Sequence, residues 1–315
     1  MKNLQMDLSR LKKNISSMGI EKLRLSITNN CNASCGFCHN EGHAKGIRNF
    51  KDNYCESSIP LEQIVNVADV FRDTVDKVKF TGGEPTLVDK LDKIIKKFYD
   101  RDYICSMTTN GFNFDEEMQK KLQKSGLTQV SITIPSLSPR QHASFFGQKN
   151  VKLYNVLENV ASVSDIFDSY KINFMASSDT VPSQLIPMNE LSASTGIPIS
   201  IMELVDPCTL LNPVSKGVID YMEKHVGLEE SIPNINSHTK GNLYKFKNGG
   251  TWEVDDFRDI NYREKAFGNK YCNKCNEVGK CTEGPYSLRI GKDLVAYPCL
   301  IRKDNGVKIK LEESL

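Results

Sequence analysis

No apolar run in this 315-residue chain approaches the roughly 18 residues that a bilayer-spanning helix needs, so no membrane span is expected. Met1 to Ile20 is charged and amphipathic, with Leu4, Leu8, Leu11 and Ile15 in helical spacing. It lacks the apolar centre and small-residue cleavage site of a secretory signal, and the expected location is cytoplasmic. Neither sign of charge dominates. Forty-one Lys and Arg face 39 Asp and Glu, a formal net charge of +2. That balance gives no electrostatic case for nucleic acid or an anionic membrane as partner. Short repeats and low-complexity tracts are absent. With 39% hydrophobic and 25% charged residues, the composition is that of an ordinary globular protein.

What the chain does have is cysteine. In an oxidising compartment ten cysteines would suggest disulfides; in the cytosol, clustered cysteines more often bind metal or do chemistry. Seven of the ten fall in two groups: Cys31, Cys35 and Cys38, then Cys272, Cys275, Cys281 and Cys299. Cys55, Cys105 and Cys208 are scattered. Cys105 lies in an apolar strand-like run, where a buried free thiol is the usual explanation.

Strand and helix patterns alternate through the first two thirds of the chain. Strand-like runs rich in β-branched residues are Leu23–Thr28, Val78–Thr81, Tyr103–Thr109, Gln129–Ile134, Lys171–Ala176 and Ile199–Val205. Between them, Leu61–Phe71, Leu91–Phe98, Val151–Val163 and Leu185–Leu191 carry helical spacing. Ser58 and Pro60 mark a start for the first of these helices. Such alternation implies parallel βαβ units, and six units form an α/β partial (β/α)6 TIM-like barrel, where a full barrel needs eight. Past residue 210 the alternation fades, and Ser231–Trp252 reads as a polar, Asn- and Gly-rich excursion. The expected division is a barrel over residues 1–210 and an extension over 211–315.

The first cysteine group, Cys31-Asn-Ala-Ser-Cys35-Gly-Phe-Cys38, directly follows the first strand. A loop beyond the C-terminal end of a barrel strand is where such folds place their chemistry. Three thiolates crowded on one loop suit a [4Fe–4S] cluster whose fourth iron stays open. A Cys3His zinc site using His39 or His43 is the alternative.

Leu23 to Cys38 as a whole resembles the cluster loop of the radical-SAM superfamily, and in particular that of the molybdenum-cofactor GTP cyclase (MoaA) family. The resemblance implies that the open iron chelates S-adenosylmethionine. It also implies reductive cleavage to a 5′-deoxyadenosyl radical, with an electron donor such as flavodoxin or ferredoxin. Phe80-Thr-Gly82-Gly83-Glu84-Pro85 ends the second strand. Its two glycines permit close backbone approach to a ligand and Pro85 fixes the exit. The string resembles the family's GGEP motif, which implies that Gly82, Gly83 and Glu84 contact the methionine amino group. Thr108-Thr109-Asn110-Gly111 matches the family's TTNG string, although an Asn-Gly turn alone would explain it. Ser131 and Thr133 alternate onto one face of the fourth strand and resemble the hydroxyls that reach the cofactor. Asn173 and Glu203 occupy the corresponding places on the fifth and sixth strands, with packing as the competing role.

Cys272-x-x-Cys275, Cys281 and Cys299 would suit zinc. The resemblance implies instead a second [4Fe–4S] cluster on Cys272, Cys275 and Cys299, following the strand-like Ser287-Leu-Arg289-Ile. Cys281 is additional to the family pattern: a fourth ligand, a hydrogen-atom donor, or neither. The family's terminal Gly-Gly is absent here, and the arginines expected near the second cluster are reduced to Arg289 and Arg302. The expectation is therefore a radical-SAM enzyme acting on a small molecule or peptide. The GTP cyclase is the alternative, and a non-enzymatic zinc or redox-binding protein the second alternative.

Overall fold

The computed structural model describes residues 9, 11–13, 15, 20–36, 38, 60–148, 153–176, 181–203, 214–235, 240–256, 272, 286–291, 293–299 and 306–309. Six β-strands alternate with helices in the first two thirds. They are β1 (Lys22–Ser26), α1 (Leu61–Phe71), β2 (Lys77–Thr81), α2 (Leu91–Tyr99), β3 (Ile104–Thr109), α3 (Glu116–Lys124) and β4 (Leu127–Thr133). Then come α4 (Pro139–Phe145), α5 (Leu153–Ala161), the short α6 (Val163–Ile166), β5 (Ser169–Ala176), α7 (Val181–Thr195) and β6 (Ile199–Glu203). All six strands run parallel in the order 1-2-3-4-5-6, as the alternation predicts.

Each strand turns one face to the helices. Leu23, Leu25, Val78, Phe80, Met107, Val130, Ile132, Ile172, Phe174 and Ile199 pack in one core with Ile64, Val67 and Phe71 of α1 and Ile94, Ile95 and Phe98 of α2. Phe80 meets Phe98 edge-on at 5.3 Å. Cys105 is a fully buried free thiol in this layer, as its apolar surroundings predict. Asp115 caps α3, its carboxylate accepting from the Met118 amide at 2.9 Å.

After α8 (Val214–His225), the polar excursion is in fact an antiparallel meander of β7 (Leu228–Ile235), β8 (Lys240–Phe246) and β9 (Thr251–Asp256). The Asn248-Gly249-Gly250 turn makes it possible. Gly249 takes φ +93°, and a Cβ on Gly250 would stand 2.0 Å from Asn189 Oδ1. Trp252 is fully buried, and its indole N–H donates to Asn189 Oδ1 on α7 at 2.8 Å. Composition hid these strands because the turn residues outweigh the short apolar alternation between them.

β9 joins the edge of β6 in parallel. At the other edge, β10 (Leu288–Ile290) pairs with β1 in parallel and leads into β11 (Val295–Tyr297) and β12 (Val307–Lys308). The result is one twelve-stranded sheet, ordered 12-11-10-1-2-3-4-5-6-9-8-7, with β9 and β10 unpaired with each other among the described residues. The barrel is partial and its sheet is not closed.

Candidate functional site

The chain leaves β1 through Thr28, Asn29 and Asn30 and enters the cysteine loop. Cys31 and Cys35 are half-buried and Cys38 is exposed. Burial pushes the Cys31 and Cys35 thiols up to about 12; the other two sulfurs of the loop and Glu84 add to the rise for one or both. The Ala33 and Asn32 amides hold the Cys31 rise down, and the Cys38 amide donates to the Cys35 carbonyl at 3.2 Å. Such sulfurs hold their protons at neutral pH unless a metal takes their place.

The loop after β2 lies directly on this segment. The Gly83 amide donates to the Thr28 carbonyl and the Glu84 amide to the Asn30 carbonyl, both at 2.7 Å. A Cβ on Gly82 would stand 2.3 Å from Thr28 O, and one on Gly83 would stand 2.0 Å from Asn30 O. The two glycines are therefore needed for docking loop on loop. Pro85 opens a short 3-10 turn, Pro85–Leu87.

Glu84 is 2% exposed. Its Oε1 accepts from the Thr86 amide at 3.1 Å, the Thr86 hydroxyl at 2.8 Å and the Thr109 hydroxyl at 2.6 Å. Its Oε2 accepts from the Asn110 amide at 2.8 Å. Burial pushes the carboxyl up, while these donors, Thr109 first, pull it back. Each carboxylate oxygen offers about two lone-pair positions, so Oε2, with the Asn110 amide as its donor, keeps the second, while three donors share Oε1. Asn110 also reaches the cysteine loop, its Nδ2 donating to Asn32 Oδ1 at 2.7 Å. The GGEP string, the TTNG string and the cysteine loop thus form one hydrogen-bonded assembly at the C-terminal ends of β1, β2 and β3.

Below it, the strands' other face is polar. Arg24 stands in register between Arg289 on β10 and Lys79 on β2, and Lys79 is level with Ser106. Ser131 accepts from Lys79 Nζ at 3.4 Å. Thr133, Asn173, Ser200 and Glu253 share the next level across β4, β5, β6 and β9. Lys171 and Glu253 form an ion pair at 2.6 Å. Burial lowers the Lys22 amine to about 8, helped by Arg24, Lys171 and Lys77 and opposed by Glu21. Lys171 of β5 thus lies on the same face of the sheet as Lys22 and Arg24 of β1.

Comparison with known proteins fits this assembly. The profile of the Radical SAM superfamily matches residues 25–176. A probable GTP 3',8-cyclase of Thermococcus kodakarensis is 31% identical over 286 residues, covering 90% of this chain and 89% of the relative. The chain belongs to the radical SAM superfamily. A probable GTP 3',8-cyclase of Methanococcus aeolicus is 26% identical over 301 residues, covering 94% of this chain and 91% of the relative. Among solved structures, Streptococcus suis SuiB bound to S-adenosylmethionine superposes with a TM-score of 0.61 at 14% identity, over 92% of this chain and 63% of that one. This chain thus spans less than two thirds of SuiB. The anSMEcpe structure with bound AdoMet superposes at 0.58 with 15% identity, over 90% and 75% of the two chains. At these identities the likeness is one of fold.

As a radical SAM enzyme the chain calls for a [4Fe–4S] cluster and S-adenosylmethionine. Its first cysteine loop fits such a cluster. Its donor set, three cysteine sulfurs within eight residues of one loop, is what such a cluster takes. Of the second group, Cys272 and Cys299 are buried thiols, while Cys275 and Cys281 lie outside the described residues. The side chain of Glu203, at the end of β6, also lies outside them, as does Arg302. No helix among the described residues is long and apolar enough to cross a membrane.

The sequence reading sought cations beside the C-terminal cysteines and overlooked those on the strands. The signal was present. Lys22-x-Arg24 and Lys77-x-Lys79 repeat a charge at every second residue, whereas a parallel strand covered on both faces reads as near-continuous apolar sequence.

Proposed function

We propose that this radical SAM enzyme abstracts hydrogen from a small, multiply anionic substrate, with a purine nucleoside triphosphate as the first compound to test. The carrying observation is the inner face of the sheet, on which Lys22, Arg24, Lys77, Lys79, Lys171 and Arg289 stand together. A face lined by one sign of charge draws oppositely charged ligands. The names of the curated relatives, GTP 3',8-cyclases matched over most of both chains, support the same reading. The cations also shift the earlier expectation away from a peptide.

In this proposal Cys31, Cys35 and Cys38 hold the first cluster. Glu84 would hold the cofactor's ammonium, and Ser131, Thr133, Asn173 and Glu203 would line the rest of its bed. When bound, cluster and cofactor would supply radical chemistry. Arg24, Lys79 and Arg289 would bind and orient the substrate anion. Cys272, Cys275 and Cys299, in the extension over residues 211–315, hold a second cluster, with Cys281 as a fourth ligand or a hydrogen donor. A flavodoxin- or ferredoxin-like protein delivers the electron. Iron analysis after anaerobic reconstitution tests the count: about eight irons per chain fit two clusters, and about four leave the first alone.

The anion is tested by calorimetry with inorganic triphosphate and with GTP on the reconstituted enzyme. Arg24→Ala and Arg289→Ala are each expected to weaken binding about tenfold or more, the scale of a lost charge-assisted contact. No binding by the parent enzyme, or unchanged affinity in both variants, would remove this reading. The pH dependence has a defined sign. Lys22 is an ammonium below about pH 8 and neutral above it, so affinity for the anion is expected to fall as pH rises through that value. Bound anion raises the amine's pKa, so binding near pH 8 takes up protons, which appears as a buffer-dependent enthalpy. In Lys22→Met that dependence is expected to vanish.

A further inference from the structure

The cysteine loop is also gripped by a turn that belongs to none of the cofactor motifs. Ser34 sits between Cys31 and Cys35; its amide donates to the Phe146 carbonyl at 2.8 Å and its hydroxyl to the Gly147 carbonyl at 3.1 Å. Gln148 Nε2 donates to the Asn32 carbonyl at 2.8 Å. The three partners follow directly on α4. Gly147 has φ +61°, and a Cβ there would stand 2.3 Å from Ser34 Oγ and 2.6 Å from Ser34 O. Phe146 anchors the turn from behind, meeting Phe112 and His142 edge-on, each at 4.9 Å. Asn32 is thereby held from two sides, its side chain by Asn110 and its carbonyl by Gln148.

The Asn32 carbonyl and the Ala33 amide belong to one planar peptide unit. Fixing the carbonyl toward Gln148 fixes the opposed N–H, two residues on from Cys31. From this geometry we infer that Gln148 is a positioning residue for the first cluster: by holding the Asn32–Ala33 peptide it sets the direction of that peptide's dipole beside Cys31 and so sets the cluster's reduction potential. N–H groups turned toward a cluster favour the reduced, more negative state and raise the potential. Gln148 reaches the cluster only through this peptide and acts from outside the GGEP and TTNG strings. The inference rests on Cys31 being a cluster ligand.

The test is potentiometric titration followed by electron paramagnetic resonance on the reconstituted full chain, with Gln148→Met as a neutral variant of similar length that lacks donors. Cys31→Ser alongside identifies the signal of the cluster bound there. In Gln148→Met the first cluster is expected to titrate at a more negative potential, with altered g-values and little change in iron content. Iron loss to a chelator is expected to quicken about three- to tenfold, the scale of one hydrogen bond. Gly147→Ala, which pushes the whole turn off Ser34, is expected to release iron faster still. A Gln148→Met enzyme that keeps its iron and titrates at the parent potential with the parent spectrum would overturn the inference. A parent chain that takes up no iron at all would instead overturn the cluster assignment beneath it.

Discussion

Glu84→Gln is expected to lower 5′-deoxyadenosine formation by at least about a hundredfold, equivalent to roughly 2.7 kcal/mol. The substitution keeps shape and removes one acceptor oxygen. If the new NH2 replaced Oε1, it would confront three donors, the Thr86 amide and the Thr86 and Thr109 hydroxyls. If it replaced Oε2, it would confront the Asn110 amide alone. The second arrangement is the less damaging and is the one the side chain will take. It costs about 1–3 kcal/mol for the buried, unsatisfied amide. It also removes the position proposed for the cofactor's ammonium and the charge that pairs with it. Calorimetry with S-adenosylmethionine on the reconstituted variant, beside a thermal melt, separates the two losses. A modest drop in melting temperature with a large drop in cofactor affinity is the expected pattern. Parent-like affinity would mean that the cofactor's amine is held elsewhere.

Gly83→Ala is the second severe change, and its damage begins in the backbone. The added methyl would stand 2.0 Å from the Asn30 carbonyl and meet the Asn29 carbonyl at 2.8 Å. Neither atom can move without shifting the strand exit that leads to Cys31. The loop must lift, and with it go the bonds from the Gly83 amide to Thr28 and from the Glu84 amide to Asn30. Overpacking of this kind typically costs about 1–3 kcal/mol before any lost hydrogen bonds are added. Expected results are a clear fall in thermal stability, poor iron retention and activity near background. Gly36 in the same cysteine loop provides the control, because a Cβ there meets nothing within 4 Å among the described residues. Gly36→Ala is expected to melt and load iron like the parent. Equal tolerance at positions 83 and 36 would argue against close docking of the two loops.

Much of this assembly was legible in the sequence because short-range grammar carries it. The helix expected at Leu61–Phe71 has those bounds, and the first strand, expected at Leu23–Thr28, runs Lys22–Ser26. Both have strong periodicity and a clear boundary. The cysteine, GGEP and TTNG strings lie at consecutive strand ends, where parallel topology must bring them together. What stayed hidden depends on register between distant segments. Nothing in Phe146-Gly147-Gln148 distinguishes it from an ordinary glycine-terminated helix end, since its meaning lies in Ser34 and Asn32, more than a hundred residues earlier. The strand cations were visible as residues and invisible as a group, because their grouping needs Arg24 level with both Lys79 and Arg289.

That β9 and β10 are not joined among the described residues bears on how such a protein can diversify. In a closed barrel, strand number and stagger fix the diameter, so widening the interior means rebuilding every hydrogen-bonded pair. A sheet left open like a cuff has no such fixed girth. Its aperture is set by what is appended at the two free margins, here the β7–β9 meander and the β10–β12 ribbon. Lengthening or trimming either margin would admit a bulkier or slimmer guest while the six inner strands, and the hydrogen-bonded loops at their tips, keep their places.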